Sequence, residues 1–257
     1  MLRYGRSVRN REVFVAQPEK GLTMAKRVVL VTGSAGGIGS SIADRFDELG
    51  DTVVGLDLIN GFDVTEPSAC AAAVADVVAR HGRIDVLCNN AGVGAVGDVV
   101  ATTPEDWNRV FAVNVFGIAY MSQAVLPVMR DAGKGAIVNT CSIAATVGLA
   151  QRAVYSASKG AVLSLTRAMA ADEVHHGIRV NCVSPGTVAS PWVERLVAQT
   201  PDPAATLSAL QRRQPLGRLV SCGEVADAVI YLAADSTFTT GADFLLDGGI
   251  SGVRLVD

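Results

Sequence analysis

RVVLVTGSAGGIG occupies residues 27–39. Its first half is a short β-branched run suited to a buried, pleated strand. The run ends on glycines at 33, 37 and 39, and an amphipathic stretch follows from about Gly37 to Leu49. Glycines between a strand and a helix let the backbone approach an anion closely. The helix behind them offers free N–H groups and a positive dipole end. The spacing is G-x-x-x-G-x-G rather than the commoner G-x-G-x-x-G. Its place between strand and helix is what marks it as a candidate pyrophosphate cradle.

The alternation continues along the chain. DTVVGLD (51–57), IDVLCN (84–89), GAIVNTCS (135–142), IRVNCVSP (178–185) and DFLLDGG (243–249) read as further strands. Helices fall between them. An alanine-rich one over 68–81 is entered through Thr65-Glu66-Pro67, and another is opened by Thr103 as N-cap. A long one over 153–176 ends at Gly177, and the capping box Ser221-x-x-Glu224 opens one that runs to about Ala234. Strands alternating with helices imply parallel βαβ units, and continuous apolar strands imply a sheet covered on both faces. The expected class is α/β, a single-domain Rossmann-type doubly wound parallel sheet. No linker or repeat interrupts it, so residues 24–257 read as one dinucleotide-binding catalytic domain. Residues 1–23 carry Arg3, Arg6, Arg9 and Arg11 ahead of any acid and lack the apolar core of a signal peptide. They read as a disordered extension.

Composition narrows the function classes. The 257 residues are 49% apolar and 18% charged, ample for a core, and the net charge is −3. No basic stripe with interleaved aromatics is present, which argues against nucleic acid. The five cysteines, Cys70, Cys88, Cys141, Cys182 and Cys222, are scattered. That argues against a disulfide framework or a metal site and for a reducing, cytoplasmic setting. No run reads as long and apolar enough to span a membrane. His175 and His176, just before Gly177, suit the negative end of a helix better than a metal.

Asp57 ends the second strand, 24 positions after Gly33. A carboxylate there accepts both ribose hydroxyls and repels a 2′-phosphate. No base sits in 34–37 and Leu58 comes next, so NAD is expected over NADP. Asp63 in FDV is either a hydrogen-bond acceptor for the adenine amino group or a turn-forming residue. Tyr155 and Lys159, four apart in VYSASKG (154–160), share a helix face. A phenol titrates near ~10, and an adjacent ammonium favours the phenolate. The pair is therefore a general acid/base suited to an alcohol or carbonyl. Ser142, just beyond AIVNTC, lies where open α/β sheets bind ligands and can donate to a substrate oxygen. Asn114, an amide in an apolar helix, either satisfies a buried backbone group or holds a water.

With TGSAGGIG, NNAG (89–92), Asn114, Ser142, YSASK (155–159) and NCVSPGTVASP (181–191) in this order, the chain resembles the short-chain dehydrogenase/reductase family from about residue 26 onward. The resemblance implies a catalytic tetrad of Asn114, Ser142, Tyr155 and Lys159. In it Lys159 also holds the nicotinamide ribose and Asn114 anchors a water relay. It implies cofactor contacts from Gly33, Ser34, Gly37, Ile38, Gly39, Asp57, Asp63, Val64, Asn90, Gly92, Pro185, Gly186 and Val188. Ser190 departs from the family's usual Thr but keeps the hydroxyl. A homotetramer built partly on helices 104–130 and 153–176 is implied too. Keeping both Tyr155 and Lys159 disfavours a non-catalytic dinucleotide sensor. The lack of room for a sugar-nucleotide domain disfavours an epimerase or dehydratase.

The segment 190–216 is the least regular in the chain and follows the cofactor strand, where a substrate lid would lie. Arg195, Arg212 and Arg213 fall in it, and Arg152 sits three positions before Tyr155. Arginines around one pocket suit a carboxylate; the competing reading is a solvated surface. This stretch is similar to type-2 3-hydroxybutyrate dehydrogenases and to dehydrogenases of deoxy sugar acids. That likeness implies carboxylate contacts from Arg152, Arg195 and Arg213, with the choice between Arg212 and Arg213 open. The expected substrate is a small secondary alcohol or ketone, a hydroxy acid or a sugar-derived compound. Trp192 is expected on the nicotinamide side of the pocket or in the lid; a core role is the competing reading.

Overall fold

The run Val28–Thr32 forms β1, fully buried, and its side chains alternate between two cores. Val29 and Val31 face one cluster with Ile42, Phe46, Val225 and Leu232. Val28 and Leu30 face another with Val74, Val77, Met121 and Val125. The period of two along a strand and the burial of both faces account for the unbroken apolar runs. This computed structural model describes residues 26–235 and 237–254, and the proposed extension 1–23 lies outside them.

Helix α1 (Gly37–Glu48) returns to β2 (Thr52–Leu56), α2 (Pro67–His81) leads to β3 (Val86–Asn89), and α3 (Pro104–Phe111) and α4 (Gly117–Ala132) precede β4 (Gly135–Thr140). Helix α5 (Ala153–Glu173) runs to β5 (Ile178–Pro185). Beyond it come β6 (Val188–Ala189), α6 (Pro191–Ala198), α7 (Pro203–Arg212), β7 (Val220–Ser221), α8 (Cys222–Ala233) and β8 (Asp243–Leu246). The main sheet is parallel throughout, in the order β2-β1-β3-β4-β5-β8. The strand order reverses beside β1, which opens a ligand crevice beyond the carboxyl ends of β1 and β3.

Three sequence expectations need correction. First, the segment Pro104–Ala132 is one 29-residue helical run holding an 18-residue window with mean hydropathy 1.5, long and apolar enough to cross a membrane by length and composition alone. Its buried residues Met121, Val125 and Met129 pack into the core beneath the sheet, which accounts for that apolarity. Second, the same run is not regular, because Ala112–Phe116 forms a π turn with the Gly117 N–H on the Ala112 carbonyl. Third, residues 190–216 are more ordered than they look, holding two helices. Ser190 caps α6 and Asp202 caps α7, each with proline in the first turn. That is the ordinary start signal, and it is present in the sequence.

Glu173 is fully buried at the end of α5 and meets Arg130 of α4 in a two-pronged ion pair, with Arg130 Nε 2.8 Å from Oε2. The hydrogen bonds from Arg130 hold the Glu173 carboxyl below its ordinary range. A depressed carboxylate contributes stability above its unfolded pKa and loses it as pH falls through the folded value. Arg130→Ala is expected to destabilise the fold, since it removes the partner of the buried Glu173 carboxylate. Chemical denaturation at pH 7 measures this, and the difference from the parent should shrink below the usual carboxylate range.

Candidate functional site

The glycine loop is built against the chain that follows β3. Gly33 has φ +66°, and a side chain there would lie 2.9 Å from the Ala91 Cα. A Cβ on Gly39 would fall 2.0 Å from the Gly33 carbonyl oxygen, so the first turn of α1 folds onto the loop only without one. Asn90 locks the two segments together. Its Nδ2 donates to the carbonyls of Thr32 and Gly33 at 3.2 and 3.1 Å. Its Oδ1 accepts from Thr140 Oγ1, and Thr32 Oγ1 in turn accepts from the N–H groups of Asn90 and Ala91. No side chain caps α1. Its first N–H groups therefore face a close backbone cradle, and the residues present fit a pyrophosphate.

Asp57 leaves β2 at the lip of this cradle. Oδ2 accepts the Ala35 N–H at 2.9 Å and Oδ1 accepts the Ile59 N–H at 3.1 Å. A carboxylate has about four acceptor positions, so roughly two remain for a ligand. Ser34 sits against Gly55 of β2, where a Cβ would fall 2.6 Å from its Oγ. Asp63 is built into a turn, its Oδ1 accepting both the N–H and the Oγ1 hydroxyl of Thr65 at 2.8 Å. Val64 is buried against Gly117. Ile38 packs on the α1 side of the core.

The second half of the site lies at the ends of β4 and β5. Ser142 follows β4, and its Oγ accepts the Ala144 N–H at 3.1 Å, which leaves its own proton free to donate. Lys159, 4% exposed, places Nζ 2.8 Å from the Thr140 carbonyl and 5.7 Å from the Tyr155 ring centre. Tyr155 is half-buried on the same face of α5. Asn114, fully buried in the π turn, grips Val93 through Oδ1 to its N–H (2.8 Å) and Nδ2 to its carbonyl (3.0 Å), and also reaches Ser158 Oγ. It thus satisfies the partly buried backbone groups of Val93. Gly92 lies beneath both: a Cβ there would sit 3.4 Å from Asn114 Oδ1 and 3.7 Å from Lys159 Nζ. Pro185, Gly186 and Val188 continue from β5 along the crevice, with Gly186 held close to the buried amide of Gln214.

Arg152 is half-buried at the start of α5, and its Nη1 donates to the Ala95 carbonyl at 3.0 Å. Burial pushes its pKa down, Tyr155 pulls the other way, and the charge of Arg213 pushes it down further. Arg213, at the end of α7, is therefore the member of the 212/213 pair that bears on Arg152. Arg212 is turned along its own helix to Ser208. Arg195 is exposed on α6. Trp192 is 45% exposed, which excludes a core role, and its indole lies on Gly94.

Several contributors escape the sequence reading. The Thr140 carbonyl that holds Lys159 carries no side-chain signal, because any residue supplies a carbonyl. Gln151 adopts φ +59°, the sole non-glycine in the left-handed region among the described residues. Its carbonyl accepts the Gly97 N–H, which fixes the backbone leading into Arg152. Gln214, almost fully buried, donates to the Arg218 carbonyl at 2.7 Å and anchors the far end of the lid.

Comparison with known proteins agrees with this geometry. The family described as "Enoyl-(Acyl carrier protein) reductase" matches residues 59–251. A 2-keto-3-deoxy-L-fuconate dehydrogenase from Xanthomonas campestris is 37% identical over 241 residues, 86% of this chain and 79% of that protein. A Xanthobacter autotrophicus protein named inactive 2-(S)-hydroxypropyl-CoM dehydrogenase 2 is 44% identical over 195 residues, 75% of this chain and 84% of its own. Among solved structures, the aldohexose dehydrogenase of Thermoplasma acidophilum superposes with a TM-score of 0.85 at 32% identity, covering 90% of this chain and 96% of that one. ElxO, solved with NADP bound, gives 0.82 at 26% identity over 89% of this chain and all of that one.

Proposed function

The chain belongs to the short-chain dehydrogenase/reductase family, and we propose that it is an NAD-dependent dehydrogenase of a small secondary alcohol carrying a carboxylate, a hydroxy acid or a sugar-derived acid. That it is an oxidoreductase using a nicotinamide dinucleotide on a small alcohol or ketone follows from its relatives. The finer reading rests above all on one observation: a half-buried guanidinium, Arg152, opens α5 three residues before Tyr155 and is held in place through the Ala95 carbonyl. The fuconate dehydrogenase among its relatives is named for an acid, which supports the same reading. The choice of NAD is supported by Asp57, whose carboxylate lies at the cradle's lip with no base in 34–37. ElxO holds NADP, so this part of the proposal rests on this chain's own residues alone. The reading extends to a cytoplasmic homotetramer and to a single catalytic domain over 24–257.

In this reading Gly33, Gly37, Gly39 and the start of α1 hold the pyrophosphate, Asp57 the adenosine ribose and Lys159 the nicotinamide ribose. Bound there, the dinucleotide supplies the acceptor for hydride leaving the carbinol carbon, or the donor in reverse. Tyr155 takes the alcohol proton during oxidation and returns it during reduction. Lys159, oriented by the Thr140 carbonyl, offsets charge developing on the phenol oxygen. Ser142 donates its free proton to the substrate oxygen. Asn114 fixes Val93 and with it the wall of the cleft.

The test is NADH formation with a panel of 2- and 3-hydroxy acids, sugar acids and matched neutral alcohols, with NAD and NADP in parallel. The expected result is turnover of acids with NAD at least tenfold above NADP, since an acid facing a 2′-phosphate is unfavourable by more than ~1.4 kcal/mol. Turnover confined to neutral alcohols would remove the carboxylate, and equal use of NADP would remove the role given to Asp57.

A further inference from the structure

The segment after β3 is pinned at almost every step. Asn114 holds the N–H and carbonyl of Val93, Arg109 Nη2 reaches the Gly94 carbonyl at 3.5 Å, and Arg152 holds the Ala95 carbonyl. Gly97 is bonded on both sides, its N–H to the Gln151 carbonyl and its carbonyl to the Ala153 N–H. Residues 93–97 are therefore a rigid ledge at the mouth of the site.

The lid above it is loosely attached. Helix α6 buries Val193 alone, and α7 buries none of its residues. One contact that crosses from lid to ledge is made by Trp192. Its indole occupies the space a side chain on Gly94 would take: a Cβ there would lie 2.7 Å from Cζ2 and 3.1 Å from Cη2. Gly94 has no positive φ to explain its glycine. What requires a glycine is the indole itself. Trp192 is 45% exposed, so it is seated against the ledge and still partly open to solvent.

We propose that Trp192 is the latch of the substrate lid and that Gly94 is its seat, so that the pair determines how far α6 closes over the cleft and hence how tightly substrate is held. Trp192 lies next to Ser190 and Pro191, which start α6 beside the glycine loop, where Ser190 Cβ is 3.8 Å from a Cβ built on Gly37. Lifting the indole frees the N-terminal end of α6 from the ledge, while Gln214 keeps the other end of the lid fixed through the Arg218 carbonyl. Both residues act through the lid's position, so they are positioning residues. The inference rests on the reading of 190–216 as a lid over a dehydrogenase site.

The test uses the full chain. The protein has two tryptophans, so Trp107→Phe leaves Trp192 as the sole indole reporter. In that background, without cofactor or substrate, Gly94→Ala should at least double acrylamide quenching of Trp192. With Trp107 present, Gly94→Ala should raise KM about tenfold with a smaller change in kcat, as an overpacked contact that a hinged lid can escape would do. The same substitution in a Trp192→Ala protein should change KM less than twofold, because the atom it strikes is gone. Unchanged quenching overturns the latch, and so does an equal KM effect in both backgrounds. If Gly94→Ala fails to fold alone but folds with Trp192→Ala, the clash is with the indole and the latch stands. If neither folds, the ledge itself rejects the methyl and the latch falls. Quenching is read without substrate, so a protein that turns over no alcohol would defeat the functional reading and leave this result intact.

Discussion

Tyr155→Phe is expected to lower kcat by about a thousandfold while leaving NAD affinity within twofold. Removal of a positioned general acid/base costs two to four orders of magnitude in typical cases. The substitution takes away one oxygen and keeps the ring, so the packing that sets Lys159 Nζ 5.7 Å from the ring centre is retained. Lys159 keeps its bond to the Thr140 carbonyl, which belongs to the strand end and not to Tyr155. The glycine cradle and Asp57 lie on β1, α1 and β2, away from the phenol. Cofactor titration by fluorescence and steady-state NADH formation separate the two quantities. A Tyr155→Phe protein with more than a tenth of parental kcat would remove the phenol from proton transfer. A large loss of NAD affinity with it would mean that the hydroxyl holds the cofactor as well as the proton.

How much of this is legible in the sequence depends on where each signal resides. Strand and helix order follows from apolar runs, caps and glycines, which are local. The glycine loop, Asp57 and the Tyr155/Lys159 face are fixed by spacing along one or two elements, and the structure brings them to one crevice. The lid misleads for a different reason. Its length and polar content suggest irregularity, while the capping signals Ser190-Pro191 and Asp202-Pro203 say helix. Contacts made by backbone atoms are invisible: the Thr140 carbonyl under Lys159 and the Val93 groups gripped by Asn114 depend on position, not residue type. The π turn at Ala112–Phe116 likewise leaves no clear mark, since its residues are ordinary helix occupants. Gly94 gives no signal either, because a glycine without a turn around it suggests nothing until the indole across from it is known.

The arginines are where sequence likeness and geometry part company, and they carry the second large effect. Three are implicated together by resemblance, yet they stand in three different settings. Arg195 is exposed on α6, Arg213 is exposed at the end of α7 with its charge felt by Arg152, and Arg152 is half-buried against the ledge. A charge contributes most where water is partly excluded and its hydrogen bonds are oriented. Arg152→Gln is therefore expected to lower kcat/KM for a carboxylate substrate about a hundredfold, the scale of hydrogen bonds to a charged group lost in a sheltered cleft. Gln can still donate to the Ala95 carbonyl, so the ledge keeps a partner. Arg213→Gln should cost about fivefold, and Arg195→Ala less than about twofold, because exposed charges are screened. A matched neutral alcohol supplies the control: Arg152→Gln should leave its turnover within threefold of the parent. Equal losses on the acid and the neutral alcohol would mean that Arg152 supports the ledge and Tyr155 rather than the substrate. An order of effects led by Arg195 would require α6 to swing inward, bringing its exposed guanidinium down onto the cleft.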